Sequence, residues 1–218
     1  MLLKIANTKA NTNAEGMMVM KHTDVSNRLI EQAIHIVAQQ GLDKTTTKSI
    51  VKGTDIHEAY IYRYFTDKYE LLIKTFEKLD DELVAKVTQH MHVMYDNSLD
   101  YETRCRIFFL NVWNFMLTNS ERCLTYIRYY YSPYFKRYSA EEHERRFIPL
   151  LNVFCKAFKA EANVWMLMNH ILNVMLDFAV KVFDGTVGND DDTAEHVFRL
   201  IYFSVSPYFK KYEELLAV

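Results

Sequence analysis

The 218-residue chain is half hydrophobic, holds only five Gly and three Pro, and carries a net charge of −2. So few turn formers exclude a strand-rich sandwich or barrel and predict an all-α chain, long enough for one sizeable core or a small domain beside a larger one. The near-zero charge excludes a bulk attraction to polyanions, so any nucleic-acid contact has to be local. Cys105, Cys123 and Cys155 are odd in number and far apart, unlike a disulfide framework or zinc site. They read as small buried thiols of a cytoplasmic protein, a redox-sensing thiol being the alternative.

Residues 1–23 lack the apolar run of a secretory signal and read as a flexible N-terminal tail. Lys4, Lys9 and Lys21 outnumber Glu15 there, so a basic arm reaching DNA is one reading and a plain solvated tail the other. Met17, Met18 and Met20 offer later translation starts.

The first helical pattern spans 24–40, with Leu29, Ala33 and Ile36/Val37 on one face and Gly41 as its stop. Thr45, Thr46 or Thr47 caps a short helix through Lys52 that turns Ile50 and Val51 inward. Gly53-Thr54-Asp55 reads as a turn, and a second short helix over 57–64 buries Ile61. Asp67 followed by Glu70 approximates a capping box and opens a long helix to about residue 95. Further helices are expected at 99–117, 120–131, 140–160, 162–184 and 192–205, with a loop between Gly185 and Asp192. SPYFKRY at 132–138 recurs as SPYFKKY at 206–212, and both copies read as helix breaks. The apolar stretch from Val164 to Phe183 has the length of a membrane span. Its Asn169, Asn173, Asp177 and Lys181 form a polar stripe with an i,i+4 ion pair, which lipid would penalise, so no membrane contact is expected.

Ala33, Gly41, Thr45, Ile50, Ile56, Ile61, Tyr62, Phe65, Lys68, Leu71 and Leu72 fall without a gap on one known pattern, most specifically in YIYRYFTDKYELL at 60–72. On these residues the segment resembles the TetR family of helix-turn-helix transcriptional regulators. The resemblance implies a three-helix DNA-binding domain over 24–80, joined by a long helix to a helical ligand-binding and dimerisation domain over 81–218. Asp55 and His57 stand where the family usually has Gly and a capping Ser. We therefore expect a left-handed backbone at Asp55, or Asp55 itself as the cap of the third helix. Ala59 and Tyr60 replace the common Gly and Thr.

Phosphate contacts need hydroxyls, amides and cations. Thr46, Thr47 and Lys48 open the second helix, Tyr62 and Tyr64 carry far-reaching phenols, and Lys68 sits in the first turn of the fourth helix. Base reading would fall to His57, Glu58, Ala59 and Tyr60, with Glu58 accepting from cytosine and Ala59 touching a thymine methyl. Arg63 should point away from the Ile61 face. The expected partner is a palindromic double-stranded operator, read by a homodimer through the 162–184 and 192–205 helices. Over 24–72 six basic residues face seven acidic ones. Glu58 and this balance motivate the alternative of a protein-interaction module that has kept the fold and lost specific DNA binding.

The resemblance also implies a small-molecule effector. Trp113, Met116, Tyr126, Tyr130, Phe154, Trp165, Met168 and Met175 are the expected lining of an apolar cavity, plain core packing being the other reading of each. Glu141, Glu142, His143 and Glu144 read as a solvated charged run. No metal site, cofactor or catalytic motif is visible, so no enzyme is expected.

Overall fold

A computed structural model describes residues 24–210. The tail expected over 1–23 lies outside the described residues, as does the end of the second SPYFKKY copy. Ten α-helices follow one another: α1 (24–40), α2 (Thr47–Val51), α3 (Ile61–Tyr64), α4 (Lys68–His90), α5 (Tyr101–Thr118), α6 (Ser120–Tyr130), α7 (Pro133–Tyr138), α8 (Ala140–Phe154), α9 (Val164–Phe183) and α10 (Asp191–Val205). Short 3-10 turns occupy Glu58–Tyr60, Met91–Tyr95 and Ser206–Tyr208. The chain divides into two compact units between Thr75 and Phe76, inside α4. The boundary read from sequence near residue 80 falls in the same helix. We call the two units the head and the body.

The head is closed by aliphatic side chains at the helical periods read from sequence. Leu29, Ala33 and Val37 of α1, Ile50 of α2 and Ile61 of α3 are each 0% exposed, and Phe65, Leu71 and Leu72 are buried with them. Gly41 ends α1 at φ +83, where its N–H donates to Val37 O, as a left-handed helix stop requires. Gly53 takes the same conformation in the turn between α2 and α3. No non-Gly residue has positive φ among the described residues, so the left-handed position is Gly53 and not Asp55.

In the body, α5, α6, α8, α9 and α10 pack around aromatic side chains. Asp100 and Asp190 cap α5 and α10 by accepting from the N–H groups of Thr103 and Thr193. The long fourth helix ends at His90 and becomes a 3-10 turn before residue 95. α8 stops at Phe154, short of the expected residue 160, because the chain turns to pair Phe158 with Phe209 in one antiparallel bridge. That bridge also explains how the repeated segment splits. The first copy forms α7, with Pro133 in its first turn, where proline lacks no needed donor. The second is a 3-10 turn that opens into extended backbone at Phe209. Reading both copies as breaks therefore missed a helix.

Candidate nucleic-acid interface and effector cavity

Thr46 caps α2. Its Oγ1 accepts from Ser49 N–H at 3.0 Å, and the Thr46 N–H donates back to Ser49 Oγ at 2.9 Å. The reciprocal bonds fix the start of a helix too short to hold itself. Beyond the turn, His57 is the cap, its Nδ1 accepting from Ala59 N–H at 3.2 Å. The expected cap, Asp55, is instead ion-paired with Arg28, which holds its carboxyl below the usual range. Because Nδ1 accepts, the proton of a neutral His57 sits on Nε2, a donor at the exposed edge of the segment.

Thr46, Lys48, His57 and Ala59 are exposed, Tyr60 is 43% and Tyr62 60% exposed, and Tyr64 is half-buried. Three expected contacts are otherwise engaged. Thr47 donates its hydroxyl to Glu58 Oε1 at 2.5 Å, tying the start of α2 to the start of the 3-10 turn. The Glu58 carboxylate therefore braces the motif, a role that no sequence pattern flagged. Lys68 donates to Thr45 O at 3.0 Å, which brings its ammonium beside the start of α2. At the N-terminus of α4, Asp67 accepts from Glu70 N–H, while Glu70 accepts from Thr66 N–H. The latter bond holds the Glu70 carboxyl below its usual range. Asp67 thus occupies one of the amides at the start of α4, beside Lys68. Arg63 and Lys52 are exposed on the same unit and were not among the expected contacts.

The body holds an apolar cavity of about 130 Å³. Met116, Phe154, Trp165, Met168 and Met175 line it as expected. Trp113, Tyr126 and Tyr130 do not. Trp113 is 1% exposed and stacks on Phe109. Tyr126 stacks on Tyr130, and their hydroxyls go to Asp80 at 3.3 Å and Asn169 at 3.4 Å. Aromatic and Met side chains make all eight candidate walls, but residue type alone cannot say which of them border a void.

His143, taken from sequence as solvated, is 3% exposed and lines the cavity. The signal was present: His143, Phe147, Leu150 and Phe154 fall on one face of α8 at helical spacing. Its Nδ1 lies 2.9 Å from Oδ1 of Asp80, which is 0% exposed. Arg146 reaches Asp81 at 2.7 Å and stands 3.7 Å from Asp80 Oδ2. Burial pushes the Cys105 and Cys123 thiols up to about 12, which leaves little reactive thiolate at neutral pH. Cys155 is exposed.

Much of α9 lacks cover within the body. Met175, Leu176 and Ala179 are buried, whereas Met166 is 65% exposed. α10 likewise presents Leu200 at 55% and Phe203 at 62%. The expected Asp177–Lys181 ion pair is present.

A capped helix, a tight turn and a short exposed segment on an aliphatic core define a helix-turn-helix of DNA-binding size. Residues 29–75 match the family model described as bacterial regulatory proteins, tetR family. The chain is similar in structure to a TetR family transcription regulator from Marinobacter aquaeolei VT8, at TM-score 0.70 and 18% identity over 88% of this chain and 100% of that one. It is also similar to the fatty acid degradation regulator FadR from Bacillus halodurans, at 0.58 and 16% over 80% and 96%. A third is FadR from Bacillus subtilis in complex with stearoyl-CoA, at 0.61 and 13% over 80% and 96%. No curated protein sequence matches the chain significantly. The head is thus a TetR-family N-terminal domain, and the chain has the fold of the TetR-family transcription regulators.

Proposed function

We propose that the chain is a homodimeric, sequence-specific DNA-binding regulator of the cytoplasm, a repressor released by a small apolar or aromatic effector. The observation that carries this reading is the TetR-type match over 29–75 on a head that exposes the donors Thr46, Lys48, His57 and Tyr62. In this reading Thr46, Lys48, Tyr62, Tyr64 and Lys68 hold phosphates, with Arg63 and Lys52 beside them. His57, Ala59 and Tyr60 face base edges, while Thr47 and Glu58 keep the two helix starts in register. Because Glu58 is bonded internally, its charge is a weaker argument for a module that has lost DNA. In this reading the DNA-binding domain covers 24–80, a few residues beyond the head, and residues 81–218 hold the effector and the partner.

The exposed apolar faces of α9 and α10 support pairing with a second copy, which would align two heads with two half-sites. This gives α9 a protein neighbour instead of lipid. The cavity supports an apolar effector, as does a similar fold solved with stearoyl-CoA. Its volume of about 130 Å³ suits a compact molecule better than a long acyl chain. Footprinting on the region upstream of the chain's own gene tests the reading. Protection of an inverted repeat, weakening as salt rises, is expected. A region left unprotected, together with a monomeric chain in sedimentation, would overturn it.

A further inference from the structure

We propose that the effector carries one neutral hydroxyl on an apolar frame about the size of a single ring, and that this hydroxyl donates to Nε2 of His143. The proposal rests on the reading of the body cavity as the effector site.

The wall offers few polar atoms. Asn169 donates to Trp165 O and accepts from the Tyr130 hydroxyl, so it is already engaged. Tyr101 is bonded to Cys105. His143 differs, because its Nδ1 is committed to Asp80 while the ring borders the cavity, which leaves Nε2 as the polar atom it presents there. A carboxylate can only accept, so Asp80 fixes the ring proton on Nδ1 and makes Nε2 of the neutral ring a lone-pair acceptor. The Tyr126 hydroxyl, also donating to Asp80 Oδ1, supports that carboxylate form.

The arrangement is expensive for a core built for stability alone. Asp80 Oδ2 and Arg146 Nη1 are buried without a hydrogen-bond partner, though 3.7 Å apart. A carboxylate kept there to orient a wall histidine has a use that packing does not give it. Charge then selects a neutral head over an anionic one. In the network behind the ring, Asp80, Asp81 and Glu142 outnumber Arg145 and Arg146. A carboxylate ligand would meet net negative charge, whereas a hydroxyl meets an acceptor in a dry wall. Size narrows the frame, since a cavity of roughly 150 Å³ is known to accommodate benzene, and this one measures about 130 Å³.

Calorimetric titration of the full chain with 4-methylphenol, toluene and 4-methylbenzoate tests the proposal. A purely apolar void prefers toluene, because a hydroxyl buried without a partner is penalised. Here 4-methylphenol should bind about tenfold tighter than toluene, with 4-methylbenzoate weakest. The H143F variant should reverse the first two. Should that variant fail to fold, the wild-type ligand order and the ¹⁵N shift of His143 Nε2 still decide. That nitrogen should respond to 4-methylphenol and not to toluene. Equal binding of these two, an unchanged order in H143F, or tightest binding of 4-methylbenzoate overturns the hydroxyl assignment and leaves the cavity reading standing. If none of the three binds, the cavity reading itself fails and the assignment fails with it.

Discussion

The head and the body solve the packing problem with different side chains. In the head the fully buried residues are aliphatic, among them Leu29, Val37, Ile50 and Ile61. Branched side chains of similar size interdigitate with little void, which suits a unit that must present surface donors at fixed spacing. The body adds buried aromatic rings, such as Phe76, Trp113 and Phe198, to its aliphatic side chains, and rings of the cavity wall meet edge to face. Phe108 and Phe154, both in the cavity wall, lie at 70°, and Tyr101 meets Phe209 at 82°. The cavity lies beside these rings. The body also buries charge, at Asp80 and Arg104, whereas Thr45 is the head's buried polar group alongside Thr75. The contrast teaches that one unit closes on itself and the other leaves a cavity in its core.

The comparison breaks most readily at Asp80. An Asp80→Ala substitution leaves His143 and the Tyr126 hydroxyl without their common acceptor and Arg146 without the buried charge beside it. It should destabilise the body by about 3–5 kcal/mol in urea unfolding. If the loss is below about 1 kcal/mol, the buried cluster is not what orients His143. In the head, Ile61→Ala opens a cavity under the exposed tyrosines and should cost about 3 kcal/mol. Its signature is lost DNA binding with 4-methylphenol affinity preserved. If both fall together, the two units do not behave separately.

Smaller effects sharpen the same contrast. Gly53 has φ +83 with open space where a Cβ would go, so Gly53→Ala carries a conformational penalty alone. About 1–2 kcal/mol is expected in denaturation of the head. Lys68→Ala should weaken binding across all duplex sequences and lower the salt slope by about one, as the phosphate role proposed for its ammonium requires. Tyr60→Ala should instead change which sequences are preferred. The weakest effect is acid sensitivity. Hydrogen bonds from the side chain of Thr103 and the backbone of Thr193 hold the Asp100 and Asp190 carboxyls below 3.8. Their contribution is complete above that value and fades as pH falls through the lower folded pKa. Urea midpoints between pH 5 and pH 2 should drop less in D190N than in the parent chain.

How much of this was legible follows from the same division. The head could be read almost residue by residue. The α1 face, the Gly41 stop, the threonine cap and the Asp67–Glu70 opening of α4 are local signals between neighbours in sequence, and the structure contains them all. What escaped was decided by contacts across the turn. The Thr47–Glu58 bond spans eleven positions, and the Arg28–Asp55 pair that removed Asp55 from capping spans twenty-seven. In the body the helices were legible from their period, yet the cavity wall was read only in part. Trp113, Tyr126 and Tyr130 share the periodicity of the lining residues and differ from them only in what stands opposite. His143 was misread because its charged neighbours Glu141, Glu142 and Glu144 masked its place on the apolar stripe of α8. The fate of the second SPYFKKY copy depended on Phe158, almost fifty residues earlier.

Everything proposed for the head turns on whether a unit of balanced charge reads a duplex through hydroxyls, phenols and a few placed cations. Selection from a random pool of duplexes at low salt, using the full chain, asks this most directly. The account predicts enrichment of an inverted repeat whose half-sites lie about one helical turn apart, or a multiple of it, with binding that falls steeply as salt rises. A pool that emerges without an enriched sequence, or a head that retains no duplex even at the lowest salt, would contradict it.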